Sequence, residues 1–202
     1  FFPYGGHISP AVTPFKEVWK IPPHVPALNY SGMVLTQVGY NCGSRPGIEV
    51  GDFAIVIGDG LVGHWTAQTL HHRGAKVVVL GRHEERLKLL QKEIRAVNVK
   101  KTVLQDVLKT LPPIAVVIDT VGDMDTFREI QPFMKRNSHL VSAGFLGAKG
   151  LVDIQSLRKQ EITLHTPSGW VRERMEETLN GITEGWLKTA PLITHRLPVD
   201  EA

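Results

Sequence analysis

Apolar residues fall into two rhythms along this chain. Short continuous runs bounded by turn residues recur at 53–57, 77–80, 114–118, 139–142 and 162–165. Runs of this kind, without polar alternation, are the pattern of strands covered on both faces. Between them apolar positions return every three or four residues, which is the period of a helix with one buried side. Leu61, Val62, Trp65, Ala67 and Leu70 mark a helix over 61–73, with Gly74 placed to stop it. Leu87, Leu90, Ile94 and Val97 mark a second over 84–97, and 124–133 is a third. Val171, Met175, Leu179, Ile182 and Trp186 mark a fourth, whose Met and Trp positions read as core packing rather than a ligand surface. Strand and helix alternate, so the expected fold is α/β, a doubly wound parallel sheet with right-handed crossovers. The run Pro22-Pro23-His24-Val25-Pro26 separates a Gly- and Pro-rich opening from this periodic body.

Composition narrows the partners. With 42% hydrophobic and 21% charged residues, the 202-residue chain has material for a core, which excludes a coiled coil or a disordered tail. The 23 Lys and Arg are interleaved with 20 Asp and Glu, so a net charge of +3 does not point to nucleic acid. No window approaches the roughly 18 apolar residues of a membrane span. Cys42 is the single cysteine, which excludes an internal disulfide and fits a reducing cytoplasm. At about ten residues beyond the place discussed below for a metal ligand, it reads as a small buried residue. The opening Phe1-Phe2 and a close on Asp200, a helix N-cap with no helix after it, read as the ends of a piece of something longer.

The chemistry sits directly after the first strand, in Gly58-Asp59-Gly60-Leu61-Val62-Gly63. Gly58 permits the tight turn, Gly60 lets backbone approach a pyrophosphate, and Gly63 allows helix and strand to pack closely. The anion then rests on free N–H groups at the helix N-terminus. At the end of the second strand, an NAD site places Asp or Glu to accept from the ribose 2′-hydroxyl. Here the chain reads Leu80-Gly81-Arg82-His83. Gly81 removes bulk and charge where a 2′-phosphate would lie, and Arg82 offers it a charge-assisted contact, so NADP is expected, with NAD the alternative. A competing reading has Arg82 merely serving the helix that follows, beside Glu84 or Glu85. His71 and His72 are adjacent at a helix C-terminus and lack paired metal-ligand spacing, and no GxSxG elbow supports hydrolysis.

Several stretches in order resemble the medium-chain dehydrogenase/reductase superfamily, the group of alcohol dehydrogenases and quinone reductases. They are Glu49-Val50-Gly51-Asp52, the glycine motif, Gly74-Ala75-Lys76-Val77, Val117-Ile118-Asp119-Thr120-Val121-Gly122 and Leu140-Val141-Ser142-Ala143-Gly144. The opening, from Gly5-Gly6-His7 to Lys20-Ile21-Pro22, is similar to the return from the catalytic into the cofactor domain. The resemblance implies a small remnant of a GroES-like catalytic domain over 1–30 and a dinucleotide-binding Rossmann domain over 31–202. It implies Gly58, Gly60, Leu61, Val62 and Gly63 at the pyrophosphate, and Gly81 and Arg82 at the adenosine end. Val121, Gly122, Ala143, Gly144 and Phe145 would border the nicotinamide side. Thr36, in a helix before the first strand, would face the nicotinamide or its ribose. Asp119 would order a loop rather than move protons. Family dimers that pair the last strand of the sheet imply a homodimer through 162–165.

Zinc-dependent members carry a Cys ligand just before the cofactor domain. Ser31-Gly32-Met33 stands there in this chain, without Cys, His, Asp or Glu, so zinc is not expected. The expected activity is NADP(H)-dependent hydride transfer to a carbonyl, quinone or enone of a small-molecule substrate, with catalytic residues unknown. The alternatives are an NAD-dependent zinc alcohol dehydrogenase and a nucleotide-binding module without turnover of its own.

Overall fold

A computed structural model describes residues 12–146 and 152–198. Six strands form one sheet: β1 (Phe53–Ile57), β2 (Lys76–Gly81), β3 (Arg95–Asn98), β4 (Ile114–Asp119), β5 (Met134–Ser142) and β6 (Thr163–His165). Their order is β3-β2-β1-β4-β5-β6 and every pairing is parallel. Parallel neighbours require crossovers. The helices are α1 (Met33–Ser44), α2 (Leu61–His72), α3 (Glu84–Leu87), α4 (Leu104–Leu108), α5 (Met124–Ile130), α6 (Ile154–Arg158) and α7 (Arg172–Thr183). This is the doubly wound dinucleotide-binding order, with its reversal between β1 and β4.

Alternation along the strands feeds two cores. Ile55, Ile57, Val78, Leu80 and Val117 meet Leu108, Phe127, Ile130 and Leu157 on one face of the sheet. Ala54, Val56, Val77 and Val79 meet Cys42, Ala67 and Leu70 on the other. Burial pushes the Cys42 thiol up to about 12, as fits a packed side chain and not a reactive one. A third cluster joins Trp19, Tyr30 and Met33 to Trp65 of α2 and to Met175 and Ile182 of α7. Helices α1 and α2 lie so close that a Cβ on Gly39 would stand 2.6 Å from the Trp65 Cβ, and one on Gly43 2.7 Å from the Thr69 Cβ. Arg73 then closes the seam by donating to the carbonyls of Gly43 (2.7 Å) and Pro46 (2.9 Å).

Two elements differ from the sequence pattern. The helix expected over 84–97 is only the single turn of α3, and Arg95–Asn98 is instead the edge strand β3. Leu87, Ile94 and Val97 are all buried, but they reach the core from a helix, a turn and a strand. Their spacing imitates one helix because an edge strand needs few apolar positions. Strand β5 also begins at Met134, well before residue 139. Its first residues include Lys135, Arg136 and Asn137, and its register with β4 slips between the Ile114 and Val116 pairings. The fourth expected helix is α7, with Val171 at its N-cap and Trp186 beyond its end. There Trp186 stacks on His72 with ring centroids 4.0 Å apart. Exposed His72 therefore has an aromatic partner and not only solvent.

Met175 is fully buried where α7 meets the third cluster. Met175→Ala is expected to lower the unfolding free energy by about 2–5 kcal/mol. Urea denaturation of both proteins measures it, and a smaller loss would mean that α7 packs loosely.

Candidate functional site

The C-terminal ends of β1, β2 and β4 open into a cavity of about 480 Å³ at the point where strand order reverses. That is a size suited to a bound small molecule. Gly58 takes a φ of +118°, and a Cβ there would lie 2.3 Å from the Thr120 Oγ1. Gly63 stacks so tightly on the turn that its Cβ would lie 2.1 Å from the Gly58 carbonyl oxygen. At Gly60 the same test meets nothing within 4 Å, which leaves open space in front of the helix.

Helix α2 starts beside that space without a side-chain cap. The amide of His64 donates to the Gly60 carbonyl at 3.0 Å. By helical geometry the amides of Leu61, Val62 and Gly63 precede the first intrahelical bond. All three residues line the cavity. The region combines unfilled volume, unspent N–H groups and the positive end of a 12-residue helix. These features fit the diphosphate of a dinucleotide.

Gly81, Arg82 and Val121 line the same cavity. Arg82 reaches across to Asp123, with its Nη2 2.9 Å from the Oδ2. It does not serve the neighbouring glutamates: Glu84 pairs with Lys101 and Glu85 with Lys88. Gly122 and Phe145 border a shallower space beside it that also touches Arg82 and Val121. Ala143 and Gly144 line neither space. Their amides donate to the backbone carbonyl of Asp119 at 2.8 and 2.9 Å. The buried Asp119 carboxylate accepts from the amides of Val121 and Gly122, each at 2.9 Å. One residue thus orders both loops at this end of the sheet. Thr36 is fully buried in α1, where its hydroxyl donates to the Gly32 carbonyl at 2.9 Å, and it borders neither space.

The structure adds residues that the sequence pattern did not single out. Asp59, His83, Arg86, Thr120, Asp123 and Thr126 also line the cavity. Asp59 was visible as an acidic residue inside the glycine motif, and Asp123 as an N-cap, which accepts from the Thr126 amide at 3.0 Å. Burial alone would push the Asp59 carboxyl up. Hydrogen bonds from the His83 ring and from the amides of His83 and Arg82 outweigh it and hold the carboxyl below its ordinary value. His64 lies beneath this corner. Its burial, partly offset by a bond to the Arg86 backbone and by the Asp59 charge, holds the imidazole below its ordinary value. No group of three or more His, Cys, Asp or Glu suited to a metal occurs among the described residues. No helix among them is long and apolar enough to cross a membrane.

Comparison with known proteins agrees with this geometry. Residues 62–184 match the family model described as zinc-binding dehydrogenase. The chain belongs to that family. It lies within the medium-chain dehydrogenase/reductase superfamily, of which this stretch is the cofactor-binding part. An L-threonine 3-dehydrogenase from Anaeromyxobacter sp. (strain Fw109-5) is 26% identical over 207 residues, covering 98% of this chain and 59% of that protein. Another, from Pseudoalteromonas atlantica, is 29% identical over 161 residues, covering 75% of this chain and 46% of the relative. The chain thus spans about half the length of the curated relatives it matches. Among solved structures, an alcohol dehydrogenase from E. coli CFT073 complexed with NADH superimposes with a TM-score of 0.78 at 23% identity. That match covers 90% of this chain and 55% of the other. A zinc-binding dehydrogenase from Sinorhizobium meliloti 1021 bound to NADP gives a TM-score of 0.73 at 18% identity, covering 87% and 54%. At these identities the structures establish the shared fold of the family.

The lowered values of Asp59 and His64 have a consequence for acid stability. An unfolded chain carries His64 at its ordinary value of 6.5 and so takes up its proton before the folded chain does. Stability from keeping His64 neutral is complete above that pH and falls as pH drops below it. His139 and His165 are shifted in the same direction, chiefly by burial. The contribution of Asp59 is present above its ordinary value of 3.8 and is lost as pH falls through its lower folded value. The urea midpoint is expected to fall between about pH 7.5 and pH 5, and His64→Gln to flatten part of that fall. Identical pH slopes in the two proteins would show that His64 is not held neutral.

Proposed function

We propose that the chain is the cofactor-binding part of an NADP(H)-dependent oxidoreductase that transfers hydride to a carbonyl, quinone or enone. The observation that carries this reading is the open space at Gly60 facing the uncapped start of α2, at the strand-order reversal. In this reading the amides of Leu61, Val62 and Gly63 bind the diphosphate, and Gly58 and Gly63 hold the turn against the helix. The bound nicotinamide supplies or accepts the hydride. Arg82, half-exposed at the cavity wall, supports the choice of NADP over NAD, because it can exchange Asp123 for a 2′-phosphate. Val121, Gly122, Ala143, Gly144 and Phe145 serve the nicotinamide side, the first four held there by Asp119. Thr36 takes part only as a positioning residue of α1, since its hydroxyl is spent on Gly32.

Zinc forms no part of the proposed reaction. Its support is the absence of any Cys, His, Asp or Glu at Ser31-Gly32-Met33. An aqueous reducing compartment suits the single buried thiol.

Calorimetric titration with NADPH tests the reading. The chain is expected to bind it, and Arg82→Asp to weaken binding by about 2–3 kcal/mol, since a charge-assisted contact is replaced by repulsion. Absence of binding by either coenzyme would overturn the redox reading. Unchanged NADPH affinity in the variant would overturn only the assignment of Arg82.

Strand β6 lies at the sheet edge, and we propose that it pairs with β6 of a second copy. Light scattering is expected to give the mass of a dimer, and a monomer at all concentrations would reject the pairing.

A further inference from the structure

At the adenosine end of the cavity, one buried carboxylate holds two exposed basic side chains, those of His83 and Arg86, and the backbone of a third basic residue, Arg82. Asp59 has a side chain 7% exposed. Its Oδ2 accepts from the backbone amides of Arg82 (2.8 Å) and His83 (2.7 Å). The His83 Nδ1 lies 3.1 Å from both carboxylate oxygens, and the Arg86 Nη1 lies 3.8 Å from the Oδ1. An ionised carboxylate only accepts, so His83 carries a proton on Nδ1. Above this buried anchor the side chains of Arg82, His83 and Arg86 are 57%, 52% and 57% exposed, and all three line the cavity.

Glycine at the end of β2 makes the arrangement possible. A Cβ on Gly81 would stand 2.6 Å from both the Cβ and the Oδ2 of Asp59. The room left by the absent side chain, expected from the sequence to serve a 2′-phosphate, is therefore taken by an internal carboxylate and by Leu87. Asp59 comes from the β1–α2 turn, whereas the groups it holds come from the end of β2 and from α3. It couples the diphosphate-binding turn to the basic rim. Its carboxylate is engaged by the amides of Arg82 and His83 and by the His83 ring, while the side chains of Arg82, His83 and Arg86 line the cavity.

We infer that Asp59 is the positioning residue of a 2′-phosphate cradle formed by Arg82, His83 and Arg86. The inference rests on the NADP(H) reading above and extends it to residues beyond the glycine motif and Arg82. Asp59 fixes the backbone from which Arg82 and His83 project, and it gives Arg86 a counter-charge that draws it toward the same corner. A 2′-phosphate then meets His83 and Arg86 already held beside Asp59, which reduces the ordering cost of these side chains. Arg82 leaves Asp123 to join them, and a coenzyme without the 2′-phosphate leaves that pair in place.

The test compares 2′,5′-ADP with 5′-AMP, which differ only in the phosphate at issue. Titration of the full chain is expected to show tighter binding of 2′,5′-ADP. In Asp59→Ala that preference is expected to fall about tenfold, while affinity for 5′-AMP stays within about threefold. Arg86→Gln, an exposed change that leaves the fold intact, is expected to lose about threefold of the preference and serves where Asp59→Ala does not fold. A merely structural role for Asp59 would weaken both nucleotides alike and leave their ratio unchanged, which overturns the inference. Equal binding of the two nucleotides by the unaltered chain also overturns it. If the unaltered chain binds NADPH and only the ratios fail to move, the cradle falls and the oxidoreductase reading stands. If it binds neither NADPH nor NADH, both fall.

Discussion

Contact between the Gly63 backbone and the Gly58 carbonyl is the constraint on which the rest of this molecule is built. A single methyl group at Gly63 would stand 2.1 Å from that oxygen, so α2 could not start where it does. With the contact made, β1 turns directly into α2, the first helical amides face the strand ends, and Gly60 keeps the space before them open. The position of α2 then dictates that of α1, which packs on it through Gly39 and Gly43. The carbonyl-to-glycine contact thus sets both the row of free amides at the start of α2 and the helical layer that supports it.

Energetic demands divide along the cavity. At the end proposed for the diphosphate the protein offers backbone donors and a helix dipole, which need no side chain to move and little charge to be buried. At the end proposed for the adenosine it relies on ionic groups held by carboxylates, the buried Asp59 below and the partly exposed Asp123 across the mouth. Of these two contacts, that of Asp59 is the more firmly determined. It accepts two backbone amides and is nearly inaccessible to water, whereas Arg82 meets Asp123 with more than half its side chain in solvent. An exposed pair of that kind contributes on the order of 0–1 kcal/mol and is readily exchanged for a ligand anion.

Much of this could be read from the chain because it depends on local rules. Interior strands of a parallel sheet are apolar on both faces, so β1, β2 and β4 stand out as runs, and the glycine motif is legible because steric exclusion fixes glycine at particular spacings. What escaped depends on tertiary context. Strand β3 is an edge with one buried residue, Val97, and its neighbours Leu87 and Ile94 fall by coincidence on a helical period. The opening of β5 is a polar stretch recruited by pairing, with Lys135 tied to Asp52 at 2.6 Å. Asp59 was in plain view inside the motif, yet its contacts depend on where the end of β2 lies, and no local pattern encodes that distance. The same holds for His83 and Arg86, whose place on the cavity wall depends on how the end of β2 and α3 lie beside the β1–α2 turn.

Asp119 gives the opposite wall a different mechanical character. Its side chain secures the turn at Val121 and Gly122 while its own carbonyl secures Ala143 and Gly144, so two loops are riveted to one fully buried point in the sheet. A cleft with one jaw fixed in this way can adapt to an occupant only through the other. Compliance is thereby concentrated beside Arg82, where a weak ionic latch can open without disturbing the two loops that Asp119 holds.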